Sequence, residues 1–291
     1  MKRLLWLFLL CASLPAFGAT MEVVLLGTGY PKPDPERAGP ATAIIVNDKV
    51  FLVDAGRGVM MRYAALKLPY TSIKAVFLTH LHSDHISGLP DVFTTTWIFD
   101  RNTPLDLYGP EGAQGVADGV LQMFAVDIPI RRDLTEYNHL DGAKFNVHTI
   151  SEGVVYQDED VKVTAFLVDH PPVKPAFGYL FEGGGRKIVI SGDTRPSDNL
   201  VKYAKGADVL VHEVYAPGRF EKNNPPKVAE NLKRYHTSAE QVGEVAERAG
   251  VKLLVLSHIV SPEPEYAALI ERDVKKHYKG KFVLGKDLMR F

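Results

Sequence analysis

Thr79-His80-Leu81-His82-Ser83-Asp84-His85 is the stretch on which the reading of this chain turns. Val76-Phe77-Leu78 just before it is an apolar run that predicts a buried strand, so the cluster sits on the loop leaving the strand's end. Such a loop can turn several side chains toward one point, which a helix or a continuing strand cannot do. Neutral imidazoles and a carboxylate are the donors that zinc and similar divalent ions take. Three histidines and an aspartate within six positions are too dense for a polar loop that is merely rich in histidine. The spaced pair His80 and His82 can serve one metal, while Asp84 and His85 serve a second.

The pattern His80-x-His82-x-Asp84-His85 after an apolar strand resembles the signature of the metallo-β-lactamase superfamily, whose members mostly hydrolyse esters, amides or thioesters with one or two metals. Three later segments resemble the family's remaining ligand positions, in the family's order. They are Val168-Asp169-His170-Pro171-Pro172, Ile188-Val189-Ile190-Ser191-Gly192-Asp193-Thr194 and Leu253-Leu254-Val255-Leu256-Ser257-His258. The resemblance implies that His80, His82 and His170 hold a first metal and that Asp84, His85 and His258 hold a second. It makes Asp193 the carboxylate bridging both. Two zinc ions are the expected cofactors, with Mn2+ or Fe2+ as substitutes.

The 291 residues allow one large domain or two small ones, and 46% apolar content is ample for a core. Residues 1–19 read as a secretory signal peptide. Lys2 and Arg3 precede the run Leu4 to Leu10, and Pro15-Ala16-Phe17-Gly18-Ala19 offers small residues for cleavage. The segment is too short for a comfortable membrane span. Cys11 lies inside it, so a mature chain from residue 20 has no thiolate, and every metal ligand must be His, Asp or Glu. Losing Lys2 and Arg3 moves the formal charge from −1 to −3, which gives no bulk pull toward nucleic acid. Residues 20–291 are expected to form one hydrolase domain, periplasmic or secreted.

The remaining pattern suggests two similar halves. Met21 to Gly27 is a strand, and Ala43–Val46 and Val50–Val53 flank the turn Asn47-Asp48. Later, Val161 to Val168 is a strand, Gly178–Phe181 and Lys187–Ile190 form a hairpin, and Val209–Val211 makes another strand. This pattern permits, and the family resemblance implies, an α/β fold in the form of a four-layer αββα sandwich. Gly27-Thr28-Gly29 lacks the third glycine of a nucleotide loop and reads as a tight turn. In segment 92–150, Trp97, Phe99, Arg101 and Phe124 could line a substrate mouth or pack a helical cap of their own. Arg131 and Arg132 read as a solvated basic pair. Apolar surface in this region suits a homodimer or a lid.

A further constellation is His212-Glu213 at a strand end, followed by Tyr235-His236-Thr237-Ser238 at the start of a helix predicted over residues 239–249 and stopped by Gly250. Lying between the Gly-Asp-Thr turn and the final Ser-His, it resembles the transfer-RNA 3′-processing (tRNase Z) branch of the superfamily. That resemblance implies that His236 acts beside the metals at the scissile phosphate and that Glu213 supports it. His212 should point away, and His139, His148 and His277 match no motif. Two departures weigh against RNA: only Leu180 to Gly192 stand where short bacterial enzymes carry a long RNA-gripping insertion, and Val214-Tyr215 follows the His-Glu pair.

The expected activity is therefore that of an exported binuclear zinc hydrolase cleaving phosphodiester or sulfate esters of small anionic substrates, as arylsulfatases and small phosphodiesterases do, without a nucleic-acid partner. Two metals bridged by a hydroxide would supply the nucleophile near neutral pH. Asp84 would orient it and take its proton, and His236 would protonate the leaving oxygen. The alternatives are a lactonase or β-lactamase, for which only Tyr30 or Tyr215 stands ready to bind an acyl group, a tRNase Z-type endoribonuclease, and a non-catalytic metal-dependent binding protein.

Overall fold

The structure, a computed structural model, describes residues 20–135, 139–217, 225–260 and 264–291. The segment read as a signal peptide lies outside the described residues. Strand β1 (Met21–Gly27) pairs antiparallel with β2 (Ala41–Val46), which turns at Asn47-Asp48 into β3 (Lys49–Val53), as the sequence predicts. From β3 the pairing is parallel, through β4 (Ile73–Phe77), β5 (Leu105–Gly109) and β6 (Phe145–Thr149). Parallel neighbours need crossovers. Helix α1 (Val59–Ala65) supplies the first, α2 (Ser83–Ile86) and α3 (Leu89–Ile98) the second, and α4 (Ala113–Met123) and α5 (Asp127–Ile130) the third.

The second half repeats this plan. Strands β7 (Gly153–Gln157), β8 (Val161–His170), β9 (Val173–Gly183) and β10 (Arg186–Ile190) pair antiparallel in turn. Strands β11 (Val209–Tyr215), β12 (Leu253–Val260) and β13 (Lys281–Leu284) then extend β10 in parallel. Their crossovers are α6 (Asp198–Ala204), α7 (Pro226–Tyr235), α8 (Ala239–Ala249) and α9 (Pro264–His277). Ser238 and Gln241 cap α8 reciprocally, and Gly250 ends it at φ 61.

Three apolar layers build the core, and the middle one joins the halves. Phe51, Phe77, Tyr179 and Phe181 meet between the two sheets, with Phe77 edge-on to both Tyr179 and Phe181. Val76 and Leu78 face the opposite way, against α1, α3 and α4, so past the exposed Lys74 the stretch 75–78 is buried on both faces and reads as an unbroken apolar run. Helices α6, α8 and α9 cover the second sheet. The result is the expected αββα sandwich in a single domain.

Segment 92–150 is neither a substrate mouth nor a cap with a core of its own: it supplies β5 and β6 to the first sheet, and Val92, Phe93, Leu107 and Phe124 pack in the same core as Val76. Trp97 is buried and its ring N–H donates to the His139 carbonyl at 2.9 Å. Arg101 is buried too, bonded to Thr96 and to the carbonyls of Phe93 and Thr103. Neither lines a mouth. Arg131 pairs with Asp127 at 2.8 Å and Arg132 with Asp133. Met123, Val126 and Leu134 are exposed. Among the described residues no helix is long and apolar enough to cross a membrane.

Candidate metal centre

Most of the candidate metal ligands stand at or just after the carboxyl ends of strands, where segments of both sheets converge. His80 and His82 lie on the loop after β4, and α2 then places Asp84 and His85 on one turn. His170 ends β8. Asp193 follows β10 through Gly192, whose φ is 60 and where a Cβ would stand 2.6 Å from the Phe177 carbonyl, so only glycine fits. His258 departs from the strand-end position that its sequence suggests. It is the extra residue of a β-bulge: Glu213 pairs with Ser257 and Val214 with Ile259, leaving His258 unmatched at φ 41. Bulges re-aim side chains, and this one turns His258 toward Asp84 and Asp193.

Two groups of donor atoms result. His80, His82, His170 and Asp193 form one, and Asp84, His85 and His258 the other. Asp193 Oδ2 stands between them, 3.9 Å from the Nε2 atoms of His80 and His170 and 3.4 Å from those of His85 and His258. The structure thus brings together all seven residues proposed as ligands.

Hydrogen bonds behind the imidazoles fix which nitrogen faces inward. Asp54 Oδ2 accepts from His85 Nδ1 at 2.8 Å. Asp54 also accepts the Thr79 N–H at 2.8 Å and the Thr79 hydroxyl at 2.9 Å. That hydroxyl, its proton committed, accepts from His80 Nδ1 at 3.0 Å. The Tyr235 carbonyl accepts from His170 Nδ1 at 2.8 Å. Each ring therefore carries its proton on Nδ1 and offers Nε2 as a lone pair, the arrangement in which histidine binds metal. Asp54 and Thr79 are residues that the sequence reading missed. Their signal was an aspartate directly after the apolar strand Val50–Val53, beside the Thr that opens the histidine cluster.

Electrostatics and polar satisfaction point the same way. Burial pushes His80 well below its ordinary value and His170 down to about 4, so both are neutral ligands at pH 7. Burial opposes charge on His258 as well, but the Asp193 and Asp84 carboxylates outweigh it and push His258 up to about 9. The pocket asks for positive charge at that point, and a divalent cation supplies it in place of a proton. His80 Nε2, His85 Nε2 and Asp193 Oδ1 are buried without a hydrogen-bond partner among the described residues. Five imidazoles and two carboxylates, with the tautomers of His80, His85 and His170 fixed and the inner Nε2 atoms of His80 and His85 unpartnered among the described residues, suit divalent metal. This is a metal site.

Beside it lies a buried pair. Glu213 Oε1 accepts the N–H groups of Thr194 at 3.2 Å and Thr237 at 3.0 Å, and His236 Nδ1 lies 3.0 Å away. An oxygen so engaged can only accept, so His236 holds its proton on Nδ1. Its Nε2 is left for the pocket, where His236 groups with Asp193 and His258. Burial holds His236 down to about 4, below the unperturbed value assumed from sequence. Burial and Asp193 push the Glu213 carboxyl above its ordinary range. His212 belongs to none of the donor groups and bonds the Glu213 carbonyl instead. Tyr30 and Tyr215 pack in an apolar cluster with Leu232, Tyr235 and Val260. His148 stacks on Tyr108, and His277 faces Glu244 at 3.5 Å.

Comparison with known proteins adds the lineage. The sequence model of the β-lactamase superfamily domain matches residues 49–259. A ribonuclease Z of Mycobacterium marinum is 37% identical over 279 residues, covering 93% of this chain and 98% of that protein. One from Mycolicibacterium gilvum is 40% identical over 247 residues, covering 82% and 84%. The crystal structure of the short form of human tRNase Z superposes with a TM-score of 0.70 at 24% identity, covering 93% and 98%. These relatives overturn three expectations. An exported hydrolase of small phosphate or sulfate esters does not fit relatives named as ribonucleases over nearly the whole chain. The exclusion of nucleic acid as a partner falls with it, because net charge is a bulk property and RNA contacts are local. The periplasmic or secreted location, argued from residues 1–19 read as a signal peptide, is overturned by the same relatives. The missing insertion misled: 98% of the M. marinum enzyme aligns with this chain, so that relative has no room for a long extra segment either. The chain is a metal-dependent hydrolase of the metallo-β-lactamase superfamily and belongs to its ribonuclease Z branch.

Proposed function

We propose that this protein is a zinc-dependent endoribonuclease that cleaves a phosphodiester in precursor transfer RNA, on the 3′ side. The observation that carries the reading is the Glu213–His236 pair beside two adjoining donor groups, in a chain whose relatives are ribonucleases Z. His80, His82 and His170 would hold one zinc, Asp84, His85 and His258 the other, and Asp193 would touch both. When bound, a pair of such ions supplies a water acidified toward neutral pH and neutralises charge on the phosphate.

The chain's own groups do the rest. Asp84, 3.3 Å from His258 Nε2, is placed to take the proton of the attacking water. His236, neutral and with its proton on Nδ1, faces the pocket with an accepting Nε2. It would first take up the proton that Asp84 receives from the attacking water. As imidazolium it would then hydrogen-bond the phosphate and pass that proton to the departing oxygen, with Glu213 holding the ring through Nδ1. Helix α7 ends directly before His236 and exposes Lys227, Lys233 and Arg234, cationic groups suited to an RNA backbone near the site.

The test is cleavage of a precursor transfer RNA carrying a 3′ trailer by the zinc-loaded protein. A discrete 3′-end product, absent after chelation and restored by zinc, supports the reading. Intact RNA with both metals bound refutes it.

A further inference from the structure

The second donor group is backed by a carboxylate from the far end of the chain. Asp287 follows β13, and its side chain is only 6% exposed. Its Oδ1 accepts the Thr28 N–H at 3.0 Å and the Thr28 hydroxyl at 2.8 Å. Its Oδ2 accepts the Ala38 N–H at 2.7 Å and Arg62 Nε–H at 2.8 Å. Four donors on one carboxylate fix two loops at once.

Both loops lead to the metal site. The Thr28 carbonyl accepts the Ile259 N–H at 3.0 Å, next to the bulged His258. A residue held at φ 41 needs such an anchor, because L side chains avoid that conformation. On the other line, Ala38 precedes Gly39, where an added Cβ would lie 3.2 Å from the Asp84 carbonyl. The Gly39 backbone thus packs against that of Asp84. Arg37 closes the network, donating to Thr28 Oγ1 at 2.6 Å and to the Gly285 carbonyl at 2.9 Å. His80 and His170, in the first group, are oriented instead by Thr79 and the Tyr235 carbonyl.

We propose that Asp287 is a positioning residue for the second metal: by fixing Thr28 and Ala38 it makes His258 and Asp84 converge, and its loss weakens that metal selectively. The proposal rests on the two-metal reading above.

The test is titration of the full-length apoprotein with Zn2+ against a competing chelator, for wild type, Asp287→Asn, Asp287→Glu and Thr28→Val. Melting of each apoprotein is followed in parallel. Wild type should bind two equivalents. Asp287→Asn should keep the first affinity and lose about 10- to 100-fold in the second, the usual scale for outer-shell partners. Asp287→Glu should recover part of it. Thr28→Val, which removes one donor and keeps the backbone N–H, should lose less in the same direction and serves if Asp287→Asn does not fold. Equal weakening of both equivalents, or a lower apoprotein melting point with neither affinity changed, would make Asp287 merely structural and overturn the proposal. Fewer than two equivalents on wild type would instead sink the two-metal reading, and this proposal with it.

Discussion

The Asp54 carboxylate lies 2.8 Å from His85 Nδ1, and the same carboxylate takes both donors of Thr79, which in turn orients His80. One side chain therefore sets the tautomer of a histidine in each donor group. Asp54 sits at φ 62, in the left-handed region, which aims its carboxylate back under the loop after β4.

Asp54→Asn should weaken metal binding by about 10- to 100-fold, because an amide cannot accept from His85 and Thr79 together. Metal content after dialysis against a weak chelator reads this directly. Full retention of both metals would show that the ligands hold their orientation without Asp54.

His236→Ala should lower kcat on the RNA by about 10²- to 10⁴-fold with both metals retained. Glu213→Gln still offers an oxygen to Nδ1 and should cost less than Glu213→Ala. The double variant His236→Ala with Glu213→Ala should be hardly slower than His236→Ala alone, since the two act as a unit. Additive losses would separate their roles.

The candidate ligands that the structure gathers were legible because metal binding demands particular side chains at strand ends, and His80 to His85 concentrate four of them beside an apolar run. The layers followed from the same strands. What was hidden acts through geometry rather than composition. Nothing in Leu256-Ser257-His258 announces a bulge, and Asp54 looks like any aspartate after a strand. The substrate class was misjudged because net charge describes the whole chain while nucleic-acid contacts are local, and because the missing insertion does not separate this chain from a ribonuclease Z of which 98% aligns with it.

Arg101 tests the reassignment of segment 92–150. Its buried guanidinium, which desolvation lowers to about 10, satisfies the Phe93 and Thr103 carbonyls and stacks over Phe93. Arg101→Ala leaves those carbonyls without their donor and should cost about 1–3 kcal/mol of stability. Turnover per folded molecule should stay at the wild-type level. A raised KM for RNA with unchanged stability would return Arg101 to the substrate mouth.

The last prediction concerns acid stability at the seam between the sheets. Lys49 on β3 reaches across to Asp158, in the turn between β7 and β8, at 2.8 Å. Burial alone would raise the Asp158 carboxyl. The Lys49 ammonium, the N–H groups of Asp160 and Val161 and the Tyr156 hydroxyl outweigh it and hold Asp158 down to about 2. A carboxyl whose pKa is lower folded than unfolded stabilises the protein above the unfolded value of about 3.9. That contribution fades as pH falls toward 2, where both states become protonated. Asp158→Asn should therefore melt below wild type at pH 7, and the gap should close between pH 4 and pH 2. Melting curves across that range decide it: a gap that stays constant with pH would mean that Asp158 stabilises through its hydrogen-bonded turn alone, with no contribution from its charge.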